Sequence, residues 1–166
     1  MGSGALSSSI RPALVADIPS LAAIWIQSDD DFRAAIPAGY GKPMKGPGEE
    51  GWQIEWLGTA LADTNRVTLV AVQDGTVLGC LMGEIKHVTD DYFFAPFLHV
   101  DHLWVERSAR RSGIGRALMK SAEQLGKDRG MTAIDLDVSP LNPAGVALYE
   151  SLGFTVLSRR MSKMIS

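Results

Sequence analysis

The sequence predicts a mixed α/β or α+β domain with helices packed on a largely antiparallel sheet. Three observations carry this. Strand-like and helix-like segments alternate in the order β-α-α-β-β-β-α-β-α-β. Asp74-Gly75, between two β-branched runs, marks a tight hairpin and therefore antiparallel neighbours. A strand–helix–strand unit over residues 97–138 calls for one parallel pair with a right-handed crossover.

Residues 10–15 read as a short strand. Asp17 is placed to cap a helix with Pro19 in its first turn, and Leu21, Ala22, Ile24 and Trp25 fall at helical spacing. The pattern breaks over residues 28–51, a stretch with five Gly and three Pro. A connection that long in a small domain is either functional or a solvated excursion. Residues 52–62 fit a second helix, with Ile54, Trp56, Leu57 and Leu61 as candidate buried positions. Residues 67–73 and 76–88 are the two hairpin strands. A polar and aromatic connection, residues 89–96, leads to a strand over 97–105. Residues 113–129 form a helix with Ile114, Ala117, Leu118, Ala122 and Leu125 on one stripe, closed by Gly130. A strand over 131–138, a short helix between Asn142 and Gly153, and a last strand over 154–164 complete the order.

Composition sets the outer limits. With 166 residues, 46% of them hydrophobic, the chain is sized for one core. The formal net charge is −3, unlike a protein that grips nucleic acid by its phosphates. Cys80 is the single cysteine, which excludes an intrachain disulfide and a Cys-rich zinc site and suits a reducing compartment, hence a cytoplasmic location. The three histidines lack metal-ligand spacing, so no metal is expected. No apolar run approaches the ~20 residues of a membrane helix. Residues 1–8 carry no positive charge and do not read as a secretory signal. They are set aside as a flexible N-terminus or a cloning remnant, leaving one domain over residues 9–166.

The segment from Leu103 to Leu118 carries the chemistry. A strand ends at Val105, a basic loop holds Arg107, Arg110 and Arg111, and Gly113 and Gly115 open a helix with Arg116 in its first turn. A helix N-terminus offers unpaired N–H groups and the positive end of the helix dipole, and glycine lets an anion approach the backbone. That combination suits a pyrophosphate. A Rossmann dinucleotide site is the competing reading. However, Leu118 stands where its third glycine belongs, and too few residues follow Asp135 and Asp137 to complete a doubly wound sheet. No Walker A pattern is present.

Arg110-Arg-Ser-Gly-Ile-Gly115 resembles the [Gln/Arg]-x-x-Gly-x-[Gly/Ala] signature of the GNAT acetyltransferase superfamily. Asn142-Pro-Ala-Gly-Val-Ala-Leu-Tyr149-Glu-Ser-Leu-Gly-Phe154 is similar to that family's second block, Asn-x-x-Ala-x-x-Leu-Tyr-x-x-x-Gly-Phe, with Gly145 in place of Ala. The resemblance covers roughly residues 9–165. It implies an acyl-CoA N-acyltransferase fold: a mostly antiparallel twisted sheet of about six to seven strands with one parallel, splayed pair, flanked by about four helices.

It also implies roles. The phosphates of acetyl-CoA would lie on the backbone of Arg110, Arg111, Ser112, Gly113, Ile114, Gly115 and Arg116. The pantetheine arm would pair with the backbone of Leu103, Trp104 and Val105, where an amide would also polarise the thioester carbonyl. Asn142 would contact the cofactor arm as well as cap its helix. Tyr149 would donate a proton to the leaving sulfur, since a phenol is protonated at neutral pH.

The acceptor amine must lose a proton, and candidate bases lie on the strand before the loop. Alternation predicts His99, Asp101, Leu103 and Val105 on one face and Val100, His102 and Trp104 on the other. His99 is a candidate because an imidazole can take up a proton near neutral pH, and Asp101 is placed either to orient it or to bind a cationic acceptor. Glu84 and His87 are weaker candidates, His102 reads as structural, and Cys80, in an apolar strand, is not expected to act as a nucleophile. The expected reaction is direct acetyl transfer to a primary amine of a small molecule or peptide. The acceptor would bind among Asp29, Asp30, Asp31, Tyr40, Glu49, Glu50, Asp90, Asp91, Tyr92, Phe93 and Phe94, an acidic and aromatic set that suits a cation. A homodimer is compatible with the resemblance. A non-catalytic acyl-CoA-binding module on the same fold is the alternative.

Overall fold

The computed structural model describes residues 8–37, 51–163 and 165. Five strands form one sheet in sequential order: β1 (Ser9–Pro12), β2 (Arg66–Gln73), β3 (Thr76–Lys86), β4 (Phe97–Val105) and β5 (Ile134–Leu136). All neighbours are antiparallel except β4 and β5, which are parallel. Helices α1 (Ile18–Ala35) and α2 (Trp52–Ala62) cover one face. Helix α3 (Ile114–Asp128) covers the other, where α4 (Pro143–Ser151) also packs. Asp74 and Gly75 both take positive φ, as the tight β2–β3 turn requires.

Two apolar layers sandwich the sheet. Val67, Leu69, Leu81, Ile85, Leu98 and Val100 face Ile114, Leu118 and Ala122 of α3. Val70, Cys80, Met82 and Trp104 face Leu21, Ile24 and Leu57 of the α1–α2 pair. Helix α3 carries the strongest amphipathic stripe because one side meets the sheet and the other meets water.

The structure differs from the sequence expectation in four places. Among the described residues the sheet has five strands rather than six or seven, because residues 154–163 form no ladder. Strand β5 is three residues long and offers little edge to pair with, so after Phe154 the side chains of Val156, Leu157 and Met161 are exposed. Helix α1 runs on to Ala35 instead of breaking at Ser28; its extension carries Asp31, which pairs with Arg107 and Arg110 across the domain. Asp17 sits at the helix start but does not bond into the first turn. Its carboxylate accepts from the Leu14 N–H at 2.7 Å and pairs with Arg11 at 2.7 Å.

The fourth difference lies in β4. The register passes from Gly83 opposite Val100 to Met82 opposite His102, so Asp101 is an extra residue in a β-bulge. The bulge breaks the alternation. Val100 and Leu103 both face α3, whereas His99 lies on the α1–α2 side with His102 and Trp104. The predicted common face of His99, Asp101, Leu103 and Val105 does not exist. Gly83 permits the bulge: a methyl group there would fall 2.6 Å from the His99 carbonyl oxygen.

Candidate active site

Strands β4 and β5 pair only over Leu98–Val100 and Ile134–Leu136. Beyond that rung β5 ends, while β4 continues to Val105 with β3 as its one strand neighbour among the described residues. The edge from Asp101 to Val105 is therefore left open to an extended ligand. The side chains of Leu103 and Val105 pack toward α3, and Trp104 is buried against α1 and α2.

The edge leads into a tight turn. Residues Arg107–Ala109 form one turn of 3₁₀ helix, Arg111 takes φ 65°, and Gly113 takes φ 91° immediately before α3. A left-handed Gly113 reverses the chain, so the amides of Ile114, Gly115 and Arg116 begin the helix with no acceptor behind them. Among the described residues, the N–H groups of Arg111, Ser112 and Gly113 also bond to no protein acceptor. The Arg110 amide is different, donating to the Arg107 carbonyl at 3.4 Å. The Arg110 side chain is also engaged: Nε donates to the Val105 carbonyl at 3.0 Å and Nη2 to Asp31 at 2.8 Å. Ser112 Oγ donates to the Ala109 carbonyl at 2.6 Å, which tightens the turn. Gly115 is a packing position as well as a backbone one: its Cα faces Leu148 of α4 and Val105 and Leu103 of β4.

Asn142 starts α4, its Oδ1 accepting from the Gly145 N–H at 3.0 Å. Tyr149 follows on that helix, with its ring 5.8 Å from Phe154, and packs on the α3 layer. Burial pushes the Tyr149 phenol above its ordinary range, and its hydroxyl bonds to no described residue. Burial pushes the Cys80 thiol up to about 12, which keeps it unreactive.

On the α1–α2 face the ladders align Arg66, Glu84, His99 and Asp135 in one row across β2, β3, β4 and β5. His99 Nδ1 lies 3.0 Å from Asp135, and its Nε2 lies 3.8 Å from Asp101. Asp101 accepts from Arg66 at 3.1 Å. Glu84 is paired with Lys86 at 2.7 Å and with Arg66 at 3.7 Å, and Lys86 above all holds its carboxyl below the usual range. Beside this row stands an aromatic group that the sequence reading did not assemble. Trp25 packs edge-on to Trp52 and Trp56 at 5.4 and 4.9 Å and lies 5.3 Å from the His102 ring, while Arg66 sits over Trp56 at 4.8 Å. The Nε2 of His102 and Nε1 of Trp104 are buried with no hydrogen-bond partner among the described residues. Trp25 and Trp56 were legible as apolar helix positions, but their meeting depends on how α1 and α2 pack.

The predicted acceptor lining divides. Tyr40, Glu49 and Glu50 lie outside the described residues. Asp31 is committed to Arg107 and Arg110, which together hold its carboxyl below the usual range. Asp90 is committed to the amides of Tyr92 and Phe93 at 2.8 and 2.7 Å. His87 bonds to Asn65 at 2.9 Å. Among the described residues, no cluster of His, Cys, Asp and Glu is arranged to hold a metal, and no helix is long and apolar enough to cross a membrane.

A splayed parallel pair running into an amide-lined helix start is the architecture of the GNAT-fold acetyltransferases. The structure of aminoglycoside N-acetyltransferase AAC(6')-Iy in complex with CoA superposes with a TM-score of 0.77 over 99% of each chain, at 16% identity. The chain itself belongs to the acetyltransferase (GNAT) family, whose profile matches residues 27–154. It is 29% identical over 105 residues to aminoglycoside N(6')-acetyltransferase type 1 of Klebsiella aerogenes, covering 63% of this chain and 69% of that protein. It is 32% identical over 127 residues to N-acetyltransferase family 8 member 3 of Mus musculus, covering 66% of this chain and 55% of that protein. The chain thus spans little more than half of the mouse relative.

Proposed function

We propose that the protein transfers an acetyl group from acetyl-CoA directly to a primary amine of a small molecule or peptide. The observation that carries this reading is the continuity between the open β4 edge and the unpaired amides at the start of α3. Such a track fits a ligand with an amide-bearing arm and a diphosphate at one end.

In this reading the amides of Arg111, Ser112, Gly113, Ile114, Gly115 and Arg116 receive the diphosphate, aided by the positive end of the α3 dipole. Arg110 has its amide and side chain engaged within the protein, so it serves by bracing the turn. The backbone of Leu103, Trp104 and Val105 pairs with the pantetheine arm, with Asn142 near it on α4. The thioester supplies an activated acyl carbon with a thiolate leaving group. Tyr149 gives that sulfur its proton; desolvation keeps the phenol protonated at neutral pH, so the donor form is the one present. His99 takes the proton that an ammonium must lose before its nitrogen can attack, and Asp101 draws the cation to the row.

The tryptophans beside Asp101 and His99 suit an amine carried on an apolar or ring-shaped body. Relatives named for aminoglycosides make those compounds the first amines to try, followed by polyamines, arylalkylamines and peptides. Calorimetric titration with acetyl-CoA, then a thiol-release assay over that panel, tests the reading. Binding accompanied by amine-dependent thiol release is the expected result. Binding without acetylation of any amine would leave a CoA-binding module, and no binding would overturn the proposal.

A further inference from the structure

We infer that Asp135 is a positioning residue for the base: it fixes the tautomer of His99 so that Nε2 presents a lone pair to the acceptor amine. The inference rests on the acetyltransferase reading above. Three observations on the charged row support it.

The first is pairing. Of the acids near His99, Glu84 pairs with Lys86 at 2.7 Å and, more distantly, with Arg66, and Asp101 pairs with Arg66; two cations against three carboxylates leave the row net negative, as an incoming ammonium needs. Asp135 has no basic counterion among the described residues and is bonded to His99 alone. The second is direction. A carboxylate only accepts hydrogen bonds, so the 3.0 Å contact places the ring proton on Nδ1 and leaves Nε2 unprotonated in the neutral ring. Nε2 then lies 3.8 Å from Asp101, too far for a direct bond but suited to an ammonium that donates one N–H to each. The third is place. His99 and Asp135 are the middle pair of the three-residue β4–β5 ladder, the last part of the sheet before the strands part. The dyad is anchored by two backbones and stands next to the open edge where the thioester would lie.

The step balances. An ammonium N–H bond breaks and its proton bonds to His99 Nε2. The freed nitrogen lone pair forms the C–N bond as the C–S bond breaks, and the sulfur takes the Tyr149 proton. Asp135 and Asp101 flank the resulting imidazolium. The acylated nitrogen still carries a second proton, which passes through solvent to the Tyr149 phenolate and leaves the neutral amide, while His99 releases its proton to water; both groups are restored and one proton is released overall.

The test uses Asp135→Ala, Asp135→Asn and Asp135→Glu in the full chain, with ¹⁵N NMR of the His99 ring assigned through His99→Gln. The expected wild-type spectrum has Nδ1 protonated and Nε2 bare. Asp135→Ala and Asp135→Asn should lose that preference and lower kcat by roughly 10²-fold or more, with acetyl-CoA affinity unchanged. Asp135→Glu should recover part of both. A His99 tautomer that is unchanged in Asp135→Ala, or a kcat that survives its loss, overturns the inference while leaving the acetyltransferase reading intact. A wild-type protein that acetylates no amine overturns that reading, and the dyad's role with it.

Discussion

Arg110 and Asp31 join two elements far apart in the chain: the Arg110 Nη2 donates to the Asp31 carboxylate at 2.8 Å, while the same guanidinium holds the Val105 carbonyl through Nε. Helix α1 is thereby tied to the turn that opens α3. Arg107 shares the carboxylate, and the two cations depress its pKa. A depressed acid contributes above its unfolded pKa and stops contributing as pH falls through the folded value. Asp31→Asn should therefore speed amide hydrogen exchange over residues 107–112 at pH 7, with a difference from wild type that fades in acid. Because the pair is at the surface, the melting temperature should move little.

Tyr149→Phe removes one hydroxyl that bonds to no described residue, so the fold should be unaffected. Under the proposed mechanism, kcat should fall by about 10²-fold or more with acetyl-CoA affinity unchanged. The phenol pKa is raised by burial, so this acid stays protonated through neutral and moderately alkaline pH. Loss of activity between pH 7 and 10 should therefore be the same in both proteins' residual rates. Steady-state kinetics with a calorimetric titration check each point.

Two glycines should respond in opposite ways to alanine. At Gly83 the added methyl meets the His99 carbonyl oxygen at 2.6 Å, and backbone cannot yield cheaply. Gly83→Ala should cost about 1–3 kcal/mol and disturb the bulge that carries Asp101. At Gly115 the nearest atom is Leu148 Cδ2 at 3.3 Å, the end of a side chain with room to turn. Alanine also favours the helix there, so Gly115→Ala should stay within about 1 kcal/mol of wild type. Urea denaturation of both variants decides this.

Asp17 is the one buried acid of the described core, and its carboxylate satisfies the Leu14 amide and Arg11 together. Asp17→Ala leaves that amide unpaired and should cost about 1–3 kcal/mol at pH 7. The Arg11 contact, more than any other, depresses the Asp17 pKa, so the stabilisation is present above the ordinary carboxylate range and is lost as pH falls below it. Wild-type and variant stabilities should converge in acid, as denaturant titrations across pH 3–7 would reveal.

Local signals proved sufficient for much of this fold. The Asp74-Gly75 turn, the strand over 97–105, the α3 stripe and the Asn142 cap each rest on neighbouring residues, and each lies where its pattern pointed. What escaped the sequence depends on the register between strands. On β4 the Asp101 bulge shows only as a change of parity, the core-facing apolar positions moving from 98 and 100 to 103 and 105; its other trace is Gly83 in the partner strand, which reads as an ordinary weak strand residue. Nothing local to Asp135 reveals that it lies across from His99; that pairing exists only in the β4–β5 ladder. The length of α1 was hidden for a similar reason: three consecutive aspartates argue against helix, and the cations that restrain Asp31 arrive from residues 107 and 110.

The bulge has an evolutionary reading. Because Val100 and His102 already lie on opposite sides of the sheet, excising Asp101 would produce an uninterrupted strand with every apolar contact kept on its present side. Asp101 is thus an extra residue on which the apolar packing of the strand does not depend, its tie to the sheet being the ion pair with Arg66. A lineage could gain or discard it by a single in-frame codon, altering what the row attracts while the scaffold carries on as before.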